Sequence, residues 1–202
     1  SQLWGLFSVD APDAWKTLSA DCRTGLFIGV VDTGVDHLHE DLRENIADGL
    51  GRNFIDSPAS ADISDGNGHG THVAGIIAAI ANNKKGVAGI CWRAQIVPLK
   101  FLDADGLGTT SDAVEAIRYA TSLAKEQKVN MVLNNSWGGD APSTTLSDAI
   151  AEARDAGIFF TAAAGNDGVN TDGKDNYPAN YSCQGNISNV VSVAATTRTD
   201  EL

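Results

Sequence analysis

Leu26-Phe27-Ile28-Gly29-Val30-Val31-Asp32 is a short apolar run, rich in β-branched residues and closed by Thr33-Gly34. It reads as a buried strand ending in a loop, and its C-terminal end delivers Asp32. Over residues 69–81, Val73, Ile76, Ile77 and Ile80 recur at helical spacing up to the breaker Asn82-Asn83-Lys84-Lys85-Gly86. That spacing predicts a largely buried helix. A strand over 95–102 follows. Asp112, with Glu115 three residues on, predicts a capping-box start for a helix through Val114, Ile117, Ala120 and Leu123. The alternation continues with a strand over 129–133, a helix over 145–156 stopped by Gly157, and strands over 158–163 and 190–195. Strands alternating with helices of about 12 to 16 residues predict the doubly wound α/β class, a mostly parallel sheet with helices on both faces. Ligands then sit beyond the carboxyl ends of the strands. Asp32, Asn166 and the segment Ser136-Trp137-Gly138-Gly139 each follow one of these strands.

Composition narrows the function classes. With 202 residues, 43% of them hydrophobic, the chain is long enough for one substantial core. It contains no apolar run of about 18 residues, and Ser1-Gln2-Leu3-Trp4 does not open a signal peptide, so any targeting segment is expected to have been removed. A net charge of −12, with 14 scattered Lys and Arg, argues against nucleic acid and anionic membranes as partners. The carboxylate surplus suits a hard divalent cation such as calcium. Cys22, Cys91 and Cys183 lack C-x-x-C spacing, so at most one internal disulfide forms and the pairing stays open.

Three short segments carry residues fit for chemistry. Asp32 can orient a histidine, although Asp-Thr-Gly is also ordinary turn composition and spells the aspartic-protease signature, which the strand and helix alternation disfavours. Asp65-Gly66-Asn67-Gly68-His69-Gly70-Thr71-His72 puts two histidines three apart at a helix start, after a loop too glycine-rich to be chosen for stability. His69 is expected at the exposed start, His72 toward the apolar side as a structural residue. Ala163-Ala164-Gly165-Asn166 follows a strand with small residues and then presents an amide able to donate to a developing oxyanion. The alternative is an asparagine in a left-handed turn.

Together these segments resemble the subtilase family. Val31-Asp32-Thr33-Gly34-Val35, His69-Gly70-Thr71-His72-Val73-Ala74-Gly75 and Ala163-Ala164-Gly165-Asn166 match its aspartate, histidine and oxyanion motifs, in its order. The resemblance implies a serine endopeptidase in which Asp32 orients His69, His69 acts as base and acid, and Asn166 stabilises the oxyanion. It further implies a secreted, calcium-binding enzyme made as a zymogen with its own propeptide. Asp41 matches an acidic calcium ligand, and residues 80–87 match the loop completing that site, with Asn83 giving a side-chain oxygen and Ile80, Lys85 and Val87 backbone carbonyls. Gln2 is a weak candidate for one more ligand. Gly106, Leu107 and Gly108 resemble one edge of a peptide cleft, and Ser136, Trp137, Gly138 and Gly139 the other, with Asn176 at the floor of the pocket before the scissile bond.

One element of the pattern is missing. The family's nucleophile lies in a Gly-Thr-Ser-Met-Ala segment, and the nearest match, Gly108-Thr109-Thr110-Ser111, lies between the histidine and oxyanion motifs and reads as a helix start. The chain is therefore expected to be the front part of a catalytic domain, completed by a C-terminal remainder and inert by itself. The alternative is a catalytically silent peptide-binding protein. His37, His39 and Glu40 also offer a zinc-like H-x-H-E cluster. The loop holding Asp56, Asp62 and Asp65 reads as a solvated acidic loop, with a second metal site as the alternative that its charge density offers.

Overall fold

A computed structural model of the protein describes residues 3–17, 22, 25–55, 60–171, 173–183, 185, 187–199 and 201. Two short helices, α1 (Trp4–Ser8) and α2 (Ala11–Thr17), precede strand β1 (Leu26–Asp32). Then come β2 (Arg52–Asn53), α3 (His69–Ala78), β3 (Gln95–Lys100), α4 (Thr110–Gln127), β4 (Asn130–Asn135), α5 (Thr144–Asp155), β5 (Phe159–Ala163) and β6 (Val190–Val193). The six strands form one parallel sheet in the order β2-β3-β1-β4-β5-β6. From β1 the chain crosses to β2 at one edge, returns through β3 to lie beside β1, and then continues on the other side of β1 through β4, β5 and β6, so the direction of growth reverses at β1. The carboxyl end of such a strand opens a crevice, and Asp32 stands there.

Strand alternation assigns the two faces. Val31, Val97, Leu99, Met131, Leu133, Phe160 and Ala162 pack with α4 and α5, through Ala113, Ile117, Ala149 and Ile150 among others. Ile28, Val30 and Ile96 point the other way, onto Ala74 and Ala78 of α3. Parallel strands need cover on both faces, which is why β1 reads as an unbroken apolar run. On the α3 side the cover is incomplete among the described residues. In register with Ile28 and Val30 lie Val132 and Asn134, then Phe159 and Thr161, and then, paired with Thr161 and Ala163, Val191 and Val193. Phe159, Val191 and Val193 stay 47%, 41% and 51% exposed.

Several boundaries differ from the sequence reading for local reasons. The helix predicted over 69–81 stops at Ala78, because Ala79 turns extended with ψ 141°. Its buried line is Gly70, Ala74 and Ala78, spaced by four, so Ile76 lies about 200° away from Ala74 around the axis and is exposed. The helix is thus less buried than expected. The capping box of α4 belongs to Thr109 and Asp112, not to Asp112 and Glu115: Asp112 N donates to Thr109 Oγ1 (3.2 Å) and Thr109 N to Asp112 Oδ2 (3.3 Å). Asp112 takes the third-position acid role normally given to Glu. Gly108-Thr109-Thr110-Ser111 is a helix start, as its composition suggested. Cys22 and Cys91 form a disulfide and Cys183 is an exposed free thiol.

Candidate active site

His69 Nδ1 lies 2.7 Å from Asp32 Oδ1, and the imidazole is about half exposed while the carboxylate is completely buried. β1 sets Asp32 at its last position, and Thr33 N donates to the same Oδ1 at 2.7 Å. The pair forms because α3 starts against the end of β1, and Gly70 permits that approach. A Cβ there would stand 2.1 Å from Gly34 O and 3.1 Å from Asp32 Oδ1.

The first turn of α3 has amides without intrahelical acceptors. Its N-cap, Gly68, has no side chain to offer, and neighbouring loops supply the acceptors. His69 N donates to Asn67 Oδ1 (3.2 Å), Gly70 N to Thr33 Oγ1 (3.0 Å) and Thr71 N to Asp65 Oδ2 (2.9 Å). Asp65 also accepts from Thr33 Oγ1 (2.8 Å), Thr71 Oγ1 (2.6 Å), Asn67 N (3.0 Å) and Gly68 N (2.8 Å). Burial alone would raise its carboxyl, but hydrogen bonds from Thr71, Gly68 and Thr33 outweigh that and hold it at about 2. The solvated-loop reading is therefore wrong for Asp65. The missed signal is hydroxyl chemistry: Thr33 directly follows Asp32, and Thr71 lies two residues after His69.

His72 is exposed, contrary to the reading that set it on the apolar side. Two residues from Gly70, it falls opposite the buried line of α3.

His69 opens onto a cleft of about 450 Å³ whose walls include Gly106, Leu107 and Gly108 on one side and Ser136, Trp137, Gly138 and Gly139 on the other. Trp137 stacks edge-on against Phe101, with ring centroids 4.9 Å apart. Gly139 and Tyr177 exchange backbone hydrogen bonds of 2.9 and 2.7 Å, which brings Asn176 behind this wall. Asn176 Nδ2 donates to Ala163 O (3.1 Å), and its Oδ1 lies 2.4 Å from where a Cβ on Gly138 would stand. Asn166, three residues beyond β5, is exposed, and its side chain makes no hydrogen bond to the other described residues.

A buried carboxylate bonded to a half-exposed imidazole at the switch point of a parallel sheet, beside a cleft, has the geometry of two members of a hydrolase triad. Comparison with known proteins decides the family, since the model of the subtilase family matches residues 23–202. The chain belongs to the subtilase family. It is 40% identical over 189 residues to the thermophilic serine proteinase of Bacillus sp. (strain AK1), covering 94% of this chain and 42% of that protein. It is 36% identical over 200 residues to thermitase of Thermoactinomyces vulgaris, covering 99% and 64%. Among solved structures, sphericase superposes with a TM-score of 0.76 at 32% identity, covering 85% of this chain and 54% of that one. The doubly wound α/β fold of subtilases is thus the fold of this chain, which spans between 42% and 64% of the length of these two curated relatives.

The loop matched to the subtilase calcium site wraps Asp41, which is only 2% exposed. Its carboxylate has neutral partners: Asn83 Nδ2 donates to Oδ1 (2.6 Å) and Val87 N to Oδ2 (2.9 Å). Ile80 N donates to Asp41 O (3.0 Å), Asn83 Oδ1 accepts from Lys85 N (2.9 Å), and Lys85 Nζ pairs with Glu40 (2.8 Å). Gln2 lies outside the described residues, as does Asp56. Among the described residues no group of three or more His, Cys, Asp or Glu could hold a metal ion. In the H-x-H-E segment, His39 Nδ1 accepts from Asp41 N (3.1 Å) and Glu40 is taken by Lys85.

Proposed function

We propose that this chain is the front part of the catalytic domain of a serine endopeptidase of the subtilisin type, which cleaves extended peptide through an acyl-enzyme. The observation that carries the proposal is the 2.7 Å contact of a half-exposed imidazole with a fully buried carboxylate, at the mouth of a cleft. Asp32 holds the Nδ1–H tautomer and stabilises the imidazolium. His69 Nε2 takes the proton of a serine supplied from outside this chain and returns it to the leaving amine. Asn166 donates to the oxyanion. The peptide lies between residues 106–108 and 136–139 and adds its backbone to theirs, with Asn176 closing the pocket for the residue before the cut. The partly bare α3 face of β4, β5 and β6 suits a further helix, and a serine at the start of that helix would approach His69 from the open side.

Asp41 is a further part of the proposal. A buried carboxylate with neutral partners, wrapped by a loop of amides and carbonyls, fits a hard cation, and calcium supplies the missing positive charge. Asp41, Asn83 and the backbone carbonyls of Ile80, Lys85 and Val87 would hold it. Asn83, whose Nδ2 donates to Asp41 Oδ1, would have to turn its amide and release Lys85 N to offer its oxygen. Secretion and a propeptide follow from the same reading, and the disulfide agrees with an oxidising compartment.

The test is fluorophosphonate labelling, with hydrolysis of a chromogenic peptide, on this chain alone and on it joined to the remainder of the protein. The chain alone should take no label. The joined protein should take one label per molecule and lose it in the His69→Ala variant. A joined protein that neither labels nor hydrolyses overturns the proposal in favour of a silent peptide-binding cleft.

A further inference from the structure

Asp65 sits at neither end of the proposed proton path, yet four residues around the Asp32–His69 pair hang on its carboxylate. Asn67 N, Gly68 N and Thr71 N bracket His69 along the chain, and all three donate to it. On the other side of the pair, Thr33 is fixed at four points. Its N donates to Asp32 Oδ1, its hydroxyl donates to Asp65 Oδ1 and accepts from Gly70 N, and its carbonyl accepts from the buried Lys100 ammonium. Thr71 Oγ1 adds a bond to Asp65 Oδ2 and accepts from Asp36 N.

From this geometry we infer that Asp65 is a positioning residue. Acting through Thr33 and the first turn of α3, it holds the His69 imidazole on Asp32 in the Nδ1–H tautomer before any nucleophile is present. Its catalytic relevance rests on the peptidase reading above, but the geometric claim does not. Five donors converge on one carboxylate, which has about four lone-pair sites and no proton to offer, so only an acid can serve them all. An Asn amide would turn N–H groups toward the Thr71 donors. A catalytic pair works within about 0.5 Å of its productive geometry, and freeing the backbone on both sides of His69 exceeds that tolerance.

A plain helix cap at Asp65 would predict something different, namely lower stability with an unchanged imidazole. The chain is labelled with ¹⁵N-histidine, and the low-field Nδ1 proton and the tautomer of His69 are read by NMR in mildly alkaline buffer, beside urea unfolding. The variants are Asp65→Asn, Thr33→Val, Thr33→Ser, the double Asp65→Asn with Thr33→Val, and Thr109→Ala as a cap lost elsewhere. The wild type and Thr33→Ser should show the Nδ1–H form. Asp65→Asn and Thr33→Val should exchange that proton roughly tenfold faster or more and populate the Nε2–H form, as expected for a lost charge-assisted bond. The double variant should be no worse for the imidazole than the worse single one. Thr109→Ala should lower the urea midpoint and leave His69 alone. A folded Asp65→Asn chain with an unaltered Nδ1–H signal overturns the inference. If Asp65→Asn does not fold, Thr33→Val decides by the same signal. The readout needs no serine, so it stands whether or not the joined protein hydrolyses peptides.

Discussion

Asp32 Oδ1, on a fully buried side chain, accepts two short hydrogen bonds at once, 2.7 Å from His69 Nδ1 and 2.7 Å from Thr33 N. The carboxylate therefore cannot swing away from the imidazole without breaking its bond to its own backbone neighbour. In the joined protein, Asp32→Asn keeps this shape but favours the wrong imidazole tautomer. Turnover should fall about 10⁴-fold with KM little changed, a scale known from serine proteases, subtilisin included. Steady-state hydrolysis checks it.

Gly70→Ala tests the close approach of α3. The added Cβ meets Gly34 O at 2.1 Å, so the first turn has to retreat from β1. Overpacking of this kind costs about 1 to 3 kcal/mol in urea unfolding. Retreat also misplaces His69, and the fluorophosphonate labelling rate of the joined protein should drop about 100-fold.

Acid should find Asp65. Its carboxyl is held below the ordinary 3.8, at about 2, so its contribution is full above the unfolded value and is lost as pH falls through the folded one. Full linkage over that interval amounts to about 2.4 kcal/mol, and solvent screening at this partly exposed site reduces it to roughly 1 kcal/mol. Between about pH 5 and about pH 2, wild type should lose that much more stability than Asp65→Asn. Urea midpoints at the two ends of the range measure it.

Reduction should loosen the N-terminal arm. The Cys22–Cys91 bridge spans 69 positions in sequence, and closing a loop of that length removes unfolded-state entropy worth about 4 kcal/mol. Thiol titration of the unfolded chain should count one group before reduction, Cys183, and three after. The thermal midpoint of the reduced chain should be lower.

Calcium should stabilise the chain through Asp41. At about a hundredfold excess over Kd, binding to the folded state adds about 2.7 kcal/mol. Thermal unfolding with calcium and with chelator should differ in the wild type and coincide in Asp41→Asn. Coinciding wild-type curves would remove calcium from the proposal.

Much of this architecture was legible in the sequence, because a parallel sheet writes apolar runs and its helices write a 3.6-residue period. β1, α4 and α5 appear almost where the pattern put them. The candidate site residues legible in the sequence were those whose neighbours are distinctive: glycine around His69, and small residues before Asn166. What escaped notice depends on partners distant in sequence. Asp65 looks like any loop acid until Thr33 and Thr71 are brought to it, and His72 looks buried until the line of Gly70, Ala74 and Ala78 fixes the rotation of α3. The helices α1 and α2 are too short for any period, and Trp15 anchors them by contacts no local pattern encodes, its indole N–H on Ile90 O and its ring 5.0 Å from Trp92.

Phe159, Val191 and Val193 leave greasy ground beside the outermost strand β6. In this chain by itself, a hydrophobic flank beside β6, which is the edge strand among the described residues, is a template for association with its own copies, so its solutions should lose monomer in a concentration-dependent way.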